Sequence, residues 1–126
     1  MRVLLVEDHD DLRVLFARVL KLHGFDVTQA TNGKEALDHL TSLSPDLVIT
    51  DLWMPVMDGL ELIHRLQSLA PTVRVPIIAI TADGSTETER VARLAGATDF
   101  IIKPIDIPDL IDRLYGMGEA ARRRVK

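Results

Sequence analysis

The chain has 126 residues, enough for one domain closed around a single core. A hydrophobic fraction of 47% beside 27% charged residues excludes a disordered chain, and aromatics at only 4% leave a core of Leu, Val, Ile and Ala. The net charge of −4 argues against nucleic acid as the main partner, and the absence of Cys excludes disulfides, a thiolate nucleophile and Cys-ligated zinc.

The N-terminus runs straight into "MRVLLVEDHDD". Its apolar stretch is too short for a signal peptide and is followed by acid. No apolar run reaches membrane-spanning length, so a cytoplasmic location is expected. Residues 3–6 (VLLV) form the first expected strand. The spacing of Leu12, Leu15, Phe16, Val19 and Leu20 predicts a helix with one apolar face, stopped at Gly24. Residues 25–30 (FDVTQA) are more polar and read as an edge strand. Asn32-Gly33 opens a second helix with Ala36, Leu37 and Leu40 on its buried side. Residues 46–50 (DLVIT) are a continuous β-branched run, the pattern of a strand covered on both faces. A third helix is expected from Asp58-Gly59, with Leu62, Ile63, Leu66 and Leu69 inward and an end before Pro71. Residues 76–81 (PIIAIT) give a fourth strand. The next segment, "STETERVARLAG", predicts a helix with few anchors: Val91, Leu94 and small alanines. Residues 99–102 (DFII) make the fifth strand. A last helix starts near Pro108 and uses Leu110, Ile111, Leu114 and Tyr115. Gly116 and Gly118 weaken it by about 1 kcal/mol each relative to Ala. One domain over 1–118 is expected, with 119–126 a basic tail or the end of that helix. No repeat, low-complexity tract or dividing linker is present.

Five strands alternating with five helices imply an α/β fold, an open and doubly wound parallel sheet with right-handed crossovers. The common order for five strands is 2-1-3-4-5, which puts function at the carboxyl ends of the strands, near the switch point between strands one and three. The first strand ends at Glu7-Asp8, the third at Asp51 and the fourth at Thr81, and Lys103-Pro104 follows the fifth. Each residue has a plain structural alternative. Asp8 suits a helix start, Asp51 a turn cap, Thr81 a helix cap and Lys103 an ordinary surface. Together they deliver three acids, a hydroxyl and an ammonium to one edge of one sheet.

Crowded carboxylates repel one another, and a hard divalent cation relieves the repulsion. Mg²⁺ takes oxygen ligands, keeps several waters and needs one or two protein carboxylates plus phosphate oxygens. A cation, the Lys103 ammonium and the Thr81 hydroxyl around one carboxylate make a cradle for a phosphoryl group attached to that carboxylate. Carboxylates serve as nucleophiles in such transfers, and Asp51 lies on the central strand between the other groups.

These residues carry a resemblance. "LLVEDH" (4–9), "DLVITDLWMPVMDGLEL" (46–62), "PIIAITA" (76–82) and "GATDFIIKPI" (96–105) make nearly the whole chain similar to a receiver domain of the bacterial two-component response regulators. The resemblance implies that Asp51 accepts a phosphoryl group from a histidine kinase or a histidine phosphotransfer domain. It implies Mg²⁺ held by Asp8, Asp51 and the backbone carbonyl of Trp53, with Glu7 assisting. It implies Thr81 and Lys103 on the phosphoryl oxygens, and Phe100 as a switch aromatic that swings inward as Thr81 moves toward the phosphate. A cis peptide between Lys103 and Pro104 is expected.

Trp53, two residues after Asp51, is expected to limit access by attacking water, and Asp83, two after Thr81, either acts on the same step or serves as a helix-start acid. Met54 and Met57 border the loop after Asp51, and Met57 reads as packing. The weakly anchored fourth helix, with the fifth strand and fifth helix, is expected to form the output or homodimer face. The chain then works as a phosphoacceptor signalling domain, with self-phosphotransfer and self-dephosphorylation chemistry, rather than as an enzyme. It is expected either to stand alone or to be the receiver module of a hybrid kinase or larger regulator. Direct nucleic-acid binding is not expected.

Three other functions meet obstacles. A small hydrolase of the haloacid-dehalogenase type, also an aspartyl-phosphate former, wants a second Asp where Trp53 stands. A flavodoxin-like nucleotide or flavin binder wants a Gly-rich loop after the first strand, where "VEDHDDL" puts acid. A receiver-like fold that only binds would not need the full acceptor set.

Overall fold

The computed structural model describes residues 1–69 and 75–125, residues 118–125 by their helical backbone. Five strands and five helices alternate: β1 (Arg2–Val6), α1 (Asp10–Leu22), β2 (Asp26–Ala30), α2 (Gly33–His39), β3 (Leu47–Asp51), α3 (Gly59–Ser68), β4 (Ile77–Thr81), α4 (Thr86–Ala95), β5 (Asp99–Ile102) and α5 (Ile107–Val125). The strands form one parallel sheet in the order β2-β1-β3-β4-β5. Both β3 and β4 are buried along their whole length, as continuous apolar runs require when helices cover both faces. The polar strand β2 is an edge, with Val27 and Ala30 buried and Asp26 exposed.

Two apolar layers sandwich the sheet. On one side Phe16, Ala17 and Leu20 of α1 and Leu110, Ile111 and Leu114 of α5 pack on Val3, Leu5, Ile49 and Ile78. On the other, Leu62, Ile63 and Leu66 of α3 meet Leu4, Val48, Ile77 and Ala79. Each of these α3 side chains is fully buried, worth about 1.5–3 kcal/mol apiece in apolar area removed from water. Truncating Leu66 to Ala would leave a cavity as well as lose that burial.

The helix boundaries follow their caps. The side chains of Asn32, Asp58 and Ser85 accept from the backbone N–H three residues on, at Glu35, Glu61 and Thr88. Helix α1 ends before Gly24, which sits at φ +90° where a side chain is disfavoured. Helix α3 ends at Ser68, with Leu69 extended, and Pro71 lies outside the described residues. Helix α5 continues through Gly116, with Leu110, Ile111 and Leu114 anchoring the turns before it. The solvated basic tail expected over 119–126 lies outside the described side chains.

Four apolar residues assigned to buried faces are exposed: Leu15, Leu69, Leu94 and Tyr115. The seam of α1 runs through Phe16, Ala17 and Leu20, and Leu15 lies a third of a turn away, toward solvent. Helix α4 buries only Ala92 fully, and Leu94 is 73% exposed. Tyr115 instead lays its ring against Phe25, centroids 5.4 Å apart, and donates its hydroxyl to the His23 carbonyl at 2.9 Å. No helix among the described residues is long and apolar enough to cross a membrane.

Candidate functional site

Register decides which side chains meet. Val6 of β1 pairs with Thr50 of β3, so the next residues, Glu7 and Asp51, leave the sheet at the same level. Asp51 pairs with Ile80 of β4, and Thr81 pairs with Ile102 of β5. Lys103 follows, and its amide donates to the Thr81 carbonyl at 2.8 Å. From there its side chain crosses back over the sheet crest. Its Nζ donates to Asp51 Oδ2 at 2.8 Å and to Glu7 Oε1 at 2.9 Å. The two carboxylate side chains are 9% and 4% exposed, so the one ammonium offsets part of their charge where little water reaches.

Electrostatics follow from that placement. Burial pushes the Glu7 carboxyl above its ordinary range, against the pull of Lys103 and the His9 amide, and the nearby Asp8 and Asp51 push it the same way. Burial works against the charge of Lys103, but its hydrogen bonds to Asp51 and Glu7 outweigh this and hold its pKa above the ordinary lysine value. Lys103 is therefore a fixed cation throughout the physiological range.

Asp8 stands beside this pair. Its Oδ1 is buried and has no hydrogen-bond partner among the described residues. Donor atoms of Glu7, Asp8 and His9 all lie within 4.8 Å of one another, with the exposed His9 Nδ1 3.8 Å from Asp8 Oδ1. An unpartnered buried carboxylate oxygen next to other acids suits a hard divalent cation, so the residues present fit Mg²⁺.

Thr81 is fully buried, and its Oγ1 accepts from the Asp83 amide at 3.1 Å, which leaves the hydroxyl hydrogen free to donate elsewhere. Asp83 is engaged with the start of α4. Its carboxylate accepts from the Thr88 hydroxyl at 2.6 Å and the Ser85 amide at 3.0 Å, and these bonds hold it below the usual carboxylate range. Phe100 is already buried, packed in the layer that holds Ala92 and Ala97. The Lys103–Pro104 peptide is cis.

The loop after Asp51 is fixed by close approach. A Cβ on Gly59 would collide with the Asp51 carbonyl and come within 2.8 Å of Leu52 Cα, so only glycine lets α3 start against the end of β3. Gly33 is held the same way against Met57, and its amide donates to the Met57 carbonyl at 3.1 Å. Val56 has φ +71°, and the Met57 amide donates to the Pro55 carbonyl at 2.8 Å, a γ-turn rare for a β-branched residue. Trp53 is half exposed and its amide reaches Asp51 Oδ1 at 3.3 Å.

Glu7, Asp51 and Lys103 are thus joined directly, with Asp8 adjacent on the same loop and Thr81 at the end of the next strand. Arg13 is the residue that sequence reasoning passed over. It reaches from α1 to the Glu7 carbonyl at 3.1 Å, and its side chain is only 12% exposed. Its one signal in the sequence is the acid three residues before it, Asp10, which marks an ordinary helix pair.

Comparison with known proteins gives a consistent result. The family model for the response regulator receiver domain matches residues 3–115. The phosphate regulon transcriptional regulatory protein PhoB of Rhizobium meliloti is 40% identical over 125 residues, 98% of this chain and 55% of that protein. The chain therefore spans about half the length of that relative. Among solved structures, the chemotaxis protein CheY4 of Vibrio cholerae is 29% identical with a TM-score of 0.87, covering 92% of this chain and 97% of that one. The receiver domain of the sensor histidine kinase PA1611 of Pseudomonas aeruginosa, solved with a magnesium ion coordinated in its active-site cleft, is 28% identical with a TM-score of 0.85, covering 93% of this chain and 97% of that one.

Proposed function

The chain belongs to the response regulator receiver family of two-component systems, and on that premise we propose that Asp51 is its phosphoacceptor. The observation that carries this reading is the bridge from Lys103 to Asp51 and Glu7 at the carboxyl end of the sheet, beside the unpartnered oxygen of Asp8.

The donor is a phosphohistidine on a histidine kinase or a histidine phosphotransfer domain. A carboxylate oxygen of Asp51 attacks phosphorus, the O–P bond forms, and the N–P bond to the donor imidazole breaks. Asp51 is buried and already ionically paired, so little reorganisation precedes attack. Lys103 stays charged throughout and remains at hydrogen-bond distance from the oxygens that gain negative charge. Thr81, whose hydroxyl hydrogen is free, donates to a phosphoryl oxygen once one is present. Mg²⁺, when bound, is held by Asp8, Asp51 and the Trp53 carbonyl with Glu7 assisting, and supplies the charge neutralisation that phosphoryl transfer needs. The half-exposed Trp53 borders this position and limits the approach of water to the acyl phosphate.

The output is carried by α4, β5 and α5. The shift of Thr81 toward the new phosphate pulls on the Asp83–Thr88 contact at the start of α4 and so changes that face, which is also the face for a homodimer. Residues 1–118 are the receiver domain. Because the chain spans only part of PhoB, its output partner belongs to the same proposal, whether as a stand-alone regulator or as a module of a larger one.

Intact mass after incubation with acetyl phosphate and Mg²⁺ tests the assignment. Wild-type protein should gain one phosphoryl mass, and the Asp51→Asn variant should gain none. Equal labelling of both would place the acceptor elsewhere.

A further inference from the structure

Arg13 leaves the first turns of α1 and turns back over the loop that carries the acids. Its Nη1 donates to the Glu7 carbonyl at 3.1 Å and to Asp10 Oδ1 at 2.8 Å, and its Nε donates to Gln29 Oε1 on β2 at 3.3 Å. Glu7 is held on its other side by its amide, which donates to the Ala30 carbonyl at 3.0 Å, and the His9 amide donates to Glu7 Oε2 at 3.1 Å. Arg13 thus ties three elements together: the helix it sits on, the junction at Glu7, and the neighbouring strand. Among the described residues none of its hydrogen bonds goes to Asp8, whose buried Oδ1 has no hydrogen-bond partner there. The direction in which Asp8 points is therefore set by the backbone on either side of it. Residue 7 of that backbone is what Arg13 grips.

From this geometry we infer that Arg13 is a positioning residue for the cation site, holding the Glu7–Asp8 loop in the conformation that binds a divalent metal. The inference rests on the receiver reading above. A rigid planar guanidinium with several donors suits the task, because one side chain must satisfy a carbonyl, a carboxylate and an amide oxygen at once.

A bare electrostatic role would have the opposite sign. A positive charge near a cation site repels the cation, so its removal alone would tighten Mg²⁺ binding. Removal of a tether loosens the ligands and weakens binding, as loss of groups that orient metal ligands does, by roughly tenfold or more. The sign of the change therefore separates the two roles.

The experiment is calorimetric titration of the full chain with MgCl₂, without any phosphodonor, on wild type, Arg13→Met and Arg13→Lys. Arg113→Met serves as control, since Arg113 pairs with Asp99 and Asp109 far from the acids. The inference expects Arg13→Met to weaken Mg²⁺ by about tenfold. Arg13→Lys, which keeps one donor for the Glu7 carbonyl, should stay within about threefold of wild type, and the Arg113 variant should match wild type. Amide exchange at residues 7–10 should rise in Arg13→Met alone. Unchanged or tighter Mg²⁺ binding by folded Arg13→Met would overturn the inference. Should that variant fail to fold, Gln29→Met, which removes the Nε acceptor, takes its place and must weaken Mg²⁺ binding; unchanged affinity there overturns the inference equally. Failure of the wild-type chain to bind Mg²⁺ would instead overturn the receiver reading itself.

Discussion

Glu7 shows how one residue carries the cost of the site. Its raised pKa, caused first by burial, means that the folded state holds the proton more tightly than the unfolded chain does. A group of this sign makes the fold lose stability as pH rises from its ordinary value, 4.5, through the higher folded value. The neutral isostere removes that dependence. Metal-free Glu7→Gln protein should therefore be more stable than wild type at pH 7.5, and the advantage should fade as the pH approaches 4. Urea denaturation in EDTA at a series of pH values measures the difference; a constant gap across the series would refute the assignment. Glu7, Asp8, Asp51, Thr81 and Lys103 could be named as candidates from the sequence because each stands at or just past the end of an apolar β run. The pairing of Lys103 with Glu7 was not. The two residues are 96 positions apart, and only the register of four strands brings them together.

Helix α4 is the element whose weak anchoring the sequence displayed and the structure sharpened. "STETERVARLAG" offers few apolar residues, and even Leu94, read as an anchor, points to water. Binary pattern alone does not separate an apolar residue on the seam from one beside it, and in a helix with so few apolar positions one such residue changes the picture. Beside the buried Ala92, what holds α4 is polar: the Ser85 cap, the Asp83–Thr88 contact and the bond from Arg93 to the Thr98 carbonyl at 3.1 Å. These bonds are exposed, and such elements open at low free energy. Asp83 is hydrogen-bonded to Thr88, and its amide is hydrogen-bonded to Thr81, so a movement of Thr81 acts on the helix start directly. Amide exchange with a beryllium fluoride mimic of the phosphoryl group should accordingly change over residues 82–105, with little change in α3. An unchanged pattern in 82–105 would remove α4 from the output path.

Across the whole molecule the sheet order and the charge distribution work against each other. The order β2-β1-β3-β4-β5 was legible because it is the common arrangement of five alternating units, with the polar β2 at an edge as its composition suggested, and it gathers the ends of β1 and β3 at one crest. That gathering places Glu7, Asp8 and Asp51 together with one ammonium, Lys103, bridging two of them. Asp8 keeps a buried oxygen without a partner among the described residues, a local cost that a bound cation would remove. A cation that binds the folded state and not the unfolded one adds stability by mass action, about 2.7 kcal/mol at a hundred times its dissociation constant. Mg²⁺ should therefore raise the urea midpoint of the wild-type chain progressively with concentration, whereas NaCl at matched ionic strength should not. Asp8→Asn should start more stable than wild type without metal, because it removes a charge from the cluster, and should gain little from Mg²⁺. Equal gains from Mg²⁺ in both proteins would mean that the cation acts by general screening, and the crest would then hold its acids by Lys103 alone.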